Sequence, residues 1–287
     1  MGLSFDDVRT LVEWRSRGAC FDRVLTLGRQ CFSLTRPEFA RFGIACPPSY
    51  EPGGYFDGFF REALGAREVT ALDRSAFEGA VLQHDLNESF PPSLSAQFDL
   101  VVDGGTLEHI FNVPVALASC MRALAVGGRF FGANPANNLL GHGFYQFGPE
   151  LYFRVFSAEN GFELELIELQ ESPYPSAELA FSRKRYAVTD PARVGCRVQL
   201  VSPRAAILRV IALKVESRDP FAAWPQQSDY VDRWNRSETD GRGPQDRSTT
   251  VRAWVKAVLP RRVRAHVDGW RQLRQASLSN RSFFRRQ

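Results

Sequence analysis

The chain has 287 residues, of which 44% are hydrophobic and 24% charged, so it can bury a full core, and we expect one folded domain with an appendage. No run approaches the roughly 18 apolar residues of a membrane-spanning helix, and the first residues lack the basic-then-apolar pattern of a secretion signal, which together predict a cytoplasmic protein. Five scattered cysteines without paired spacing are typical of reduced thiols rather than of a disulfide framework or a zinc site.

The predicted elements alternate between helices and strands. Residues 5–17 form an amphipathic opening helix, with Ser4 in the position of an N-cap, and a later helix is expected at 149–160. Apolar runs predict seven strands, at 23–27, 69–72, 81–82, 98–102, 129–133, 162–169 and 205–215. Alternation of this kind indicates an α/β fold with a doubly wound sheet.

Two segments interrupt the regular order. Residues 30–55, rich in proline, glycine and aromatic residues, separate the first strand from a helix expected at 56–64, and we expect a lid-like insertion there. Residues 173–199 form a second insertion, between the sixth and seventh strands. Loops of this length in a compact domain are more often functional than idle. We assign both insertions to a single domain, residues 1–215.

The charge is concentrated at the C-terminal end. Residues 216–247 are polar and predict a linker, whereas the chain from Arg247 onward holds eleven basic residues and one acid, Asp268. Residues 248–287 are therefore expected to form a basic helical tail, with short amphipathic helices at 249–258 and 262–278. Such a tail suits an anionic membrane surface, a partner protein or RNA, and the first would make the protein peripheral at the membrane.

Residues 98–135 read as strand, helix, strand, and a right-handed crossover of this kind places the residues just past the first strand in a ligand crevice. The segment LEHIFNVPVALASCMRALAVGGRFFGANP, residues 107–135, resembles the Leu-Glu-His, helix, Arg-x-Leu-x-x-Gly-Gly segment of class I S-adenosylmethionine-dependent methyltransferases. It is most similar to the branch with ubiquinone-biosynthesis O-methyltransferases and glycan-modifying enzymes. The resemblance covers about residues 20–170. It implies a seven-stranded, doubly wound, Rossmann-like methyltransferase sheet whose last strand is antiparallel.

The resemblance also implies S-adenosyl-L-methionine as cofactor. Gly28 lies where the family has a glycine-rich turn against the cofactor's amino-acid end. The turn here, LTLGRQ, carries one glycine instead of three, and Gly28 can equally be an ordinary turn residue at the end of a strand.

Acidic residues follow three of the predicted strands, where the resemblance implies further cofactor contacts. These are the ribose hydroxyls at Asp73, the adenine at Asp85 and Leu86, and the methionine part at Asp103 and Gly104. Each acid has a structural alternative, namely a helix cap at Asp73, an Asx turn at Asp85 and a turn residue at Asp103.

The resemblance places Glu108 and His109 beside the methyl acceptor, with His109 either the general base or a cap of the following helix. His142, in the amide- and aromatic-rich loop 134–148, is the rival base, and GHGFYQF in that loop resembles glycan-cluster methyltransferases. Family members that hold a divalent cation carry a further acid where this chain has Gly105, so the resemblance implies no metal.

Together these features predict an enzyme that O-methylates a small-molecule or glycan acceptor, on a sugar or a glycan/lipid-linked intermediate. Two alternatives stay open. One is an RNA or other nucleic-acid methyltransferase that grips its substrate with the basic tail. The other is a non-catalytic, methyltransferase-like interaction protein, which the single glycine of LTLGRQ favours.

Overall fold

The computed structural model describes residues 2–287 except 32–33, 44, 49, 52–53, 56, 173–183, 223 and 241–259. The helices in this part are α1 Phe5–Ser16, α2 Arg36–Arg41, α3 Asp57–Glu62, α4 Val113–Ala123, α5 Pro149–Val155, α6 Pro191–Val194, α7 Ser228–Asp240 and α8 Arg261–Gln275. The strands are β1 Arg23–Leu27, β2 Glu68–Asp73, β3 Leu82–Gln83, β4 Phe98–Asp103, β5 Leu124–Asn137, β6 Phe162–Ser172, β7 Arg185–Val188, β8 Ala205–Lys214 and β9 Phe284–Arg286.

The strands form one mixed sheet in the order β3-β2-β1-β4-β5-β8-β6-β7-β9. The first five strands are parallel, and β8 lies antiparallel between β5 and β6, which confirms the expected α/β, Rossmann-like sheet whose last predicted strand is antiparallel. Leu27 is level with Leu72 and Asp103, so β1, β2 and β4 end at the same edge of the sheet. This shared carboxyl edge is where a doubly wound sheet binds ligands.

Helices cover both faces of the sheet, because neighbouring residues of a strand point to opposite sides. Val24 packs with Val8 and Leu11 of α1, whereas Leu25 belongs to the cluster that includes Leu117 of α4. The opening helix begins as expected, since the Ser4 amide donates to Asp7 Oδ2 at 2.7 Å. The core is therefore two apolar layers separated by the sheet.

Within the described ranges the sheet has nine strands, where seven were expected. β7 lies inside the segment assigned to the second insertion and pairs antiparallel with β6. β9 lies in the segment assigned to the basic tail and pairs antiparallel with β7. Both are short strands of three or four residues with arginines among them, and such a pattern does not distinguish an edge strand from a loop.

The fifth strand begins earlier than expected. Leu124, predicted to lie in the helix that runs up to Gly127, instead pairs with Phe98, and the register then shifts before Leu100 pairs with Arg129. Gly127 takes up this irregularity with φ +87°, and a Cβ on Gly128 would lie 2.9 Å from Phe98 O. The glycine pair thus produces a bulge within one long strand rather than a loop between helix and strand.

The segment expected to be a linker contains α7, which is docked on the domain. The Ser228 amide donates to Glu150 Oε1 of α5 at 3.1 Å, and Arg197 Nε donates to Asp229 Oδ2 at 3.0 Å.

In the first insertion, Phe39 and Tyr50 are buried and pack edge to face. The helix expected at 249–258 lies outside the described residues, whereas the one expected at 262–278 corresponds to α8.

None of the helices in the described ranges combines the length and the apolar composition needed to cross a membrane.

Candidate functional site

The candidate site is built from the residue that ends β4. Asp103 has no solvent exposure, and its Oδ1 accepts hydrogen bonds from the amides of Thr106 at 2.8 Å and Leu107 at 3.2 Å. These bonds fold the chain back into a short 3-10 turn, Leu107–His109, which carries Glu108 to the same edge. A carboxylate at a strand end thereby positions a second carboxylate five residues later.

A buried amide links the two acids. Asn134 of β5 donates from Nδ2 to Asp103 Oδ2 at 2.7 Å and to Glu108 Oε2 at 3.0 Å. Tyr152 of α5 donates its hydroxyl to Asn134 Oδ1 at 2.6 Å. The side chains of Asp103, Glu108, Asn134 and Tyr152 are all buried, so these hydrogen bonds fix the orientation of the Glu108 carboxylate.

The pKa of the buried Asp103 is raised well above its ordinary value. Burial, together with the negative charge of Glu108, raises the pKa of Asp103 to about 7, against the hydrogen bonds that it accepts. Burial and the nearby Asp103 also raise the pKa of Tyr152, which keeps its phenol protonated as a donor to Asn134.

His142 approaches Glu108 from the loop after β5. Its Nε2 lies 3.3 Å from Glu108 Oε1, within ion-pair distance. The geometry does not make a hydrogen bond, so this buried oxygen has no hydrogen-bond partner among the described residues. The Glu108 side chain is 1% exposed and that of His142 is 48% exposed, so the imidazole lies between a buried charge and solvent.

Two glycines allow this approach. Gly105 has φ +90°, and a Cβ there would lie 3.2 Å from Glu108 Oε1. A Cβ on Gly143 would lie 2.7 Å from Glu108 O, which accepts the amide of Phe144 at 2.7 Å. The loop is therefore pinned to the Glu108 backbone, which holds the adjacent His142 beside the carboxylate.

His109 completes a cluster of three. One potential ligand atom from each of Glu108, His109 and His142 lies within 4.8 Å of the others, and the two imidazole rings are 5.3 Å apart. Two exposed aromatic residues, Phe111 and Phe144, follow the two histidines and meet edge to face at 6.1 Å. The cluster thus combines a buried acid, two accessible imidazoles and an apolar rim.

The predicted ribose and adenine residues lie at the ends of β2 and β3, and Gly28, predicted at the cofactor's amino-acid end, follows β1. Gly28 has φ +69°, and its amide donates to Leu72 O at 2.7 Å, which makes it the turn that ends β1. Asp73 ends β2, partly exposed, and accepts the Ser75 amide at 3.3 Å. Asp85 forms an Asx turn with Asn87, whose backbone and side-chain amides hold the pKa of Asp85 below its ordinary value.

Three of the predicted cofactor contacts are engaged by the chain itself in this structure, and their role toward a ligand stays a prediction. The side chains of Leu86 and Asp103 are buried. Gly104 permits a close approach as expected, but the approaching groups are the Gln30 amide and the Leu3 side chain, which a Cβ there would overlap. Packing within the chain explains all three positions.

Sequence reasoning missed several residues of this edge. Gln30 is 1% exposed, its Nε2 donates to Leu27 O at 2.7 Å, and its Oε1 has no hydrogen-bond partner among the described residues. Tyr152 falls among the apolar residues of a predicted helix and gives no signal of its own. Asn134 opens the amide-rich loop 134–148, which was the only indication of its role.

The sequence matches no family model and no curated protein. Among solved structures, it is similar to a 1,6-didemethyltoxoflavin N1-methyltransferase from Burkholderia thailandensis with its substrate and S-adenosylhomocysteine bound, at 18% identity and TM-score 0.39, over 73% of this chain and 78% of that one. It is also similar to the YcgJ protein from Bacillus subtilis, at 14% identity and TM-score 0.39, over 72% of this chain and 99% of that one. A third is the [4+2]-cyclase SpnF, at 14% identity and TM-score 0.41, over 74% and 81% of the two chains. Identities of this size concern the fold and not the substrate.

Proposed function

We propose that this protein is an S-adenosylmethionine-dependent methyltransferase that O-methylates a sugar or a glycan- or lipid-linked intermediate. The observation that carries the proposal is the pair formed by His142 and the buried Glu108 at the carboxyl edge of a Rossmann-like sheet. An accessible imidazole backed by a buried carboxylate is suited to removing a proton from a hydroxyl.

The polar groups at the edge fit the proposed cofactor in part. Asp73 is partly exposed at the end of β2, where it can accept the ribose hydroxyls. Gln30 Oε1 is a buried acceptor in need of a donor, such as the ammonium of an amino acid. The turn at Asp85 can receive the adenine through its backbone. When bound, the cofactor supplies an electrophilic methyl group on a sulfonium.

The chain's own residues align the acceptor and handle its proton. His142 accepts the proton of the attacking hydroxyl, and the Glu108 carboxylate stabilises the resulting imidazolium. Asn134 and Tyr152 hold Glu108 in place through the buried hydrogen bonds. His109, on the same cluster, is the alternative base.

The rim suggests the class of acceptor. Phe111 is 72% exposed and Phe144 is 70% exposed, and each lies two residues after a histidine of the cluster. Exposed aromatic faces of this kind pack well on the C–H face of a sugar ring or on a lipid chain. They support an acceptor that combines a hydroxyl with an apolar surface.

Calorimetry with S-adenosylmethionine and with its demethylated product tests the proposal. Binding should stabilise the fold by about 2.7 kcal/mol at a hundredfold excess over the dissociation constant. Asp73→Asn should weaken binding, whereas the exposed Asp219→Asn, remote in the sequence from the predicted contacts, should not. Absence of any shift at millimolar ligand contradicts the proposal.

A non-catalytic interaction protein is the second candidate, and a specific observation favours it. Arg29, next to the turn, stacks on Tyr55 at 3.7 Å and donates to Asp57 Oδ2 at 2.9 Å. With Gln30 and Leu3 packed against Gly104, the chain itself fills part of the crevice beside β1. Failure of both ligands to bind the folded protein would favour this candidate.

A further inference from the structure

We propose that Glu108, His109 and His142 together bind one divalent transition-metal ion at the carboxyl edge of β4. Two imidazoles and one carboxylate form a donor set that suits zinc, iron, cobalt, nickel or manganese better than magnesium or calcium. The site differs in composition from an all-acid site, because a histidine from the loop after β5 takes the place of a further acid at Gly105.

The three ligands already converge. Their potential ligand atoms lie within 4.8 Å of one another. His142 Nε2 lies 3.3 Å from Glu108 Oε1. Ligands at about 2.1 Å from a metal lie roughly 3 to 4 Å from each other. Both histidines are exposed, so small rotations of their side chains close the remaining gap.

The carboxylate is held as a ligand should be. Asn134 fixes Glu108 Oε2 at 3.0 Å and leaves Oε1 buried, directed at His142 and without a hydrogen-bond partner among the described residues. Tyr152 in turn fixes Asn134. Outer partners of this kind orient a ligand and are a regular part of metal sites.

Electrostatics also favour a cation here. Asp103 and Glu108 both accept hydrogen bonds from Asn134 Nδ2, and no Lys or Arg is ion-paired with either among the described residues. In those residues the side chain of His109 likewise has no hydrogen bond or ion pair. A divalent ion would satisfy the orphaned Oε1 and offset the buried charge.

Three protein ligands leave open coordination positions toward the exposed side, where Phe111 and Phe144 form the rim. Oxygen donors such as a hydroxyl or carboxylate could complete the coordination. None of the three metal ligands is a predicted cofactor contact, so metal binding can be measured without S-adenosylmethionine. His142 would bind the ion through the imidazole that removes the proton in the proposed methyl transfer, so in the metal-bound protein the ion would have to activate the acceptor hydroxyl in its place.

The test uses the full chain, freed of metal with a chelator and then dialysed, with no S-adenosylmethionine present. Titration with Zn²⁺ in a calorimeter should show one equivalent bound, and Co²⁺ should give visible ligand-field bands. His142→Ala and His109→Ala should each weaken Zn²⁺ affinity by roughly tenfold or more. Glu108→Gln should do the same, with circular dichroism used to check that it folds.

The chain offers matched controls. His84→Ala and His266→Ala remove the other two histidines, which lie outside the cluster, and both should bind Zn²⁺ as the unmodified protein does. Binding that survives His142→Ala and His109→Ala, or Co²⁺ spectra dominated by thiolate charge transfer, would assign the ion to cysteines and overturn the proposal. So would the lack of any binding below about 0.1 mM.

Discussion

Asp103 is a carboxyl group with no solvent exposure, held by two backbone amides and one side-chain amide. Those bonds do not fully compensate for burial beside Glu108, which is why its pKa rises to about 7. The folded protein therefore retains a proton that the unfolded chain releases near its ordinary pKa of 3.8. The consequence is a stability that depends on pH.

We expect the free energy of unfolding to decrease as pH rises from about 4 to about 7, by at most about 1.4 kcal/mol per pH unit. The contribution is complete below the unfolded pKa and is lost through the folded pKa. Asp103→Asn, which cannot titrate, should flatten this slope. Urea denaturation of metal-free protein at a series of pH values measures it, and equal slopes for both proteins would contradict the assignment.

Tyr152 acts on the site through Asn134, as a positioning residue. Tyr152→Phe removes the donor to Asn134 Oδ1 and should cost about 1–3 kcal/mol of stability, because a buried acceptor is left unpaired. If the chain is a methyltransferase, kcat should fall while the affinity for S-adenosylmethionine stays unchanged. Tyr186→Phe is the control, since its hydroxyl has no hydrogen bond within the described ranges, and equal effects of both substitutions would refute the positioning role.

At the scale of single residues, the sequence was a better guide to which residues lie together than to the role of each one. Glu108, His109 and His142 were placed at the acceptor site, and the structure brings them together. The alternative given for Asp103, a turn residue, agrees with the two backbone amides from which it accepts. The contacts of Asp103 with Asn134 and of Gly104 with Gln30 were not foreseen, because these residues are distant in the chain. A local pattern cannot show which polar group will meet another across the fold.

At the scale of elements, a buried arginine joins the opening helix to the sheet. Arg209 of β8 is fully buried and donates to Asp7 Oδ1 of α1 at 2.7 Å, to Glu168 Oε1 of β6 at 2.7 Å, and to Gln170. Despite the cost of burial, the two acids raise the pKa of Arg209. The strand is nearly all apolar apart from Arg209 and Lys214, and Arg209 fixes the position of α1 against the sheet.

Arg209→Met should destabilise the protein by about 3–5 kcal/mol, because the buried Asp7 loses its ion pair and the buried Glu168 keeps only its pair with Arg185, at 3.4 Å. Adding Asp7→Asn and Glu168→Gln should recover part of that loss, since the unpaired charges are then gone. Denaturant unfolding compares these variants with Arg233→Met, an exposed control on α7. A single substitution no worse than the control would show that the network does not link α1 to the sheet.

All seven predicted strands are present among the described residues, because each is an apolar run between turn residues, and the bounds of all but the fifth moved by a few residues at most. The extended fifth strand could not be predicted, because its bulge at Gly127 and Gly128 looks like a loop. The two added strands could not either, because each is only three or four residues long and mixes arginine with apolar residues, which leaves no apolar run to recognise.

At the scale of the whole molecule, the C-terminal end belongs to the domain. Phe283 and Phe284 are buried in the same cluster as the core of β6 and β8, and the Gln287 amide donates to Arg185 O at 2.9 Å. The helix before them, α8, keeps its described side chains almost entirely exposed, with Trp270 58% exposed. The exposed helix α8 is therefore followed by a segment that is anchored to the sheet through Phe283 and Phe284.

This anchoring predicts that Phe284→Ala destabilises the whole domain. Removing a buried phenylalanine costs about 3–5 kcal/mol, and the loss should appear in the single unfolding transition of the domain because β9 completes the sheet through β7. Phe77→Ala removes an equally large side chain that is 92% exposed, and Trp270→Ala does so on α8, so neither should shift the midpoint by much. A free appendage would give Phe284→Ala the same midpoint as Phe77→Ala. An anchored one requires the unfolding curve to shift as a unit, since the last strand can detach only by exposing the apolar surface that β7 and its neighbours share with it.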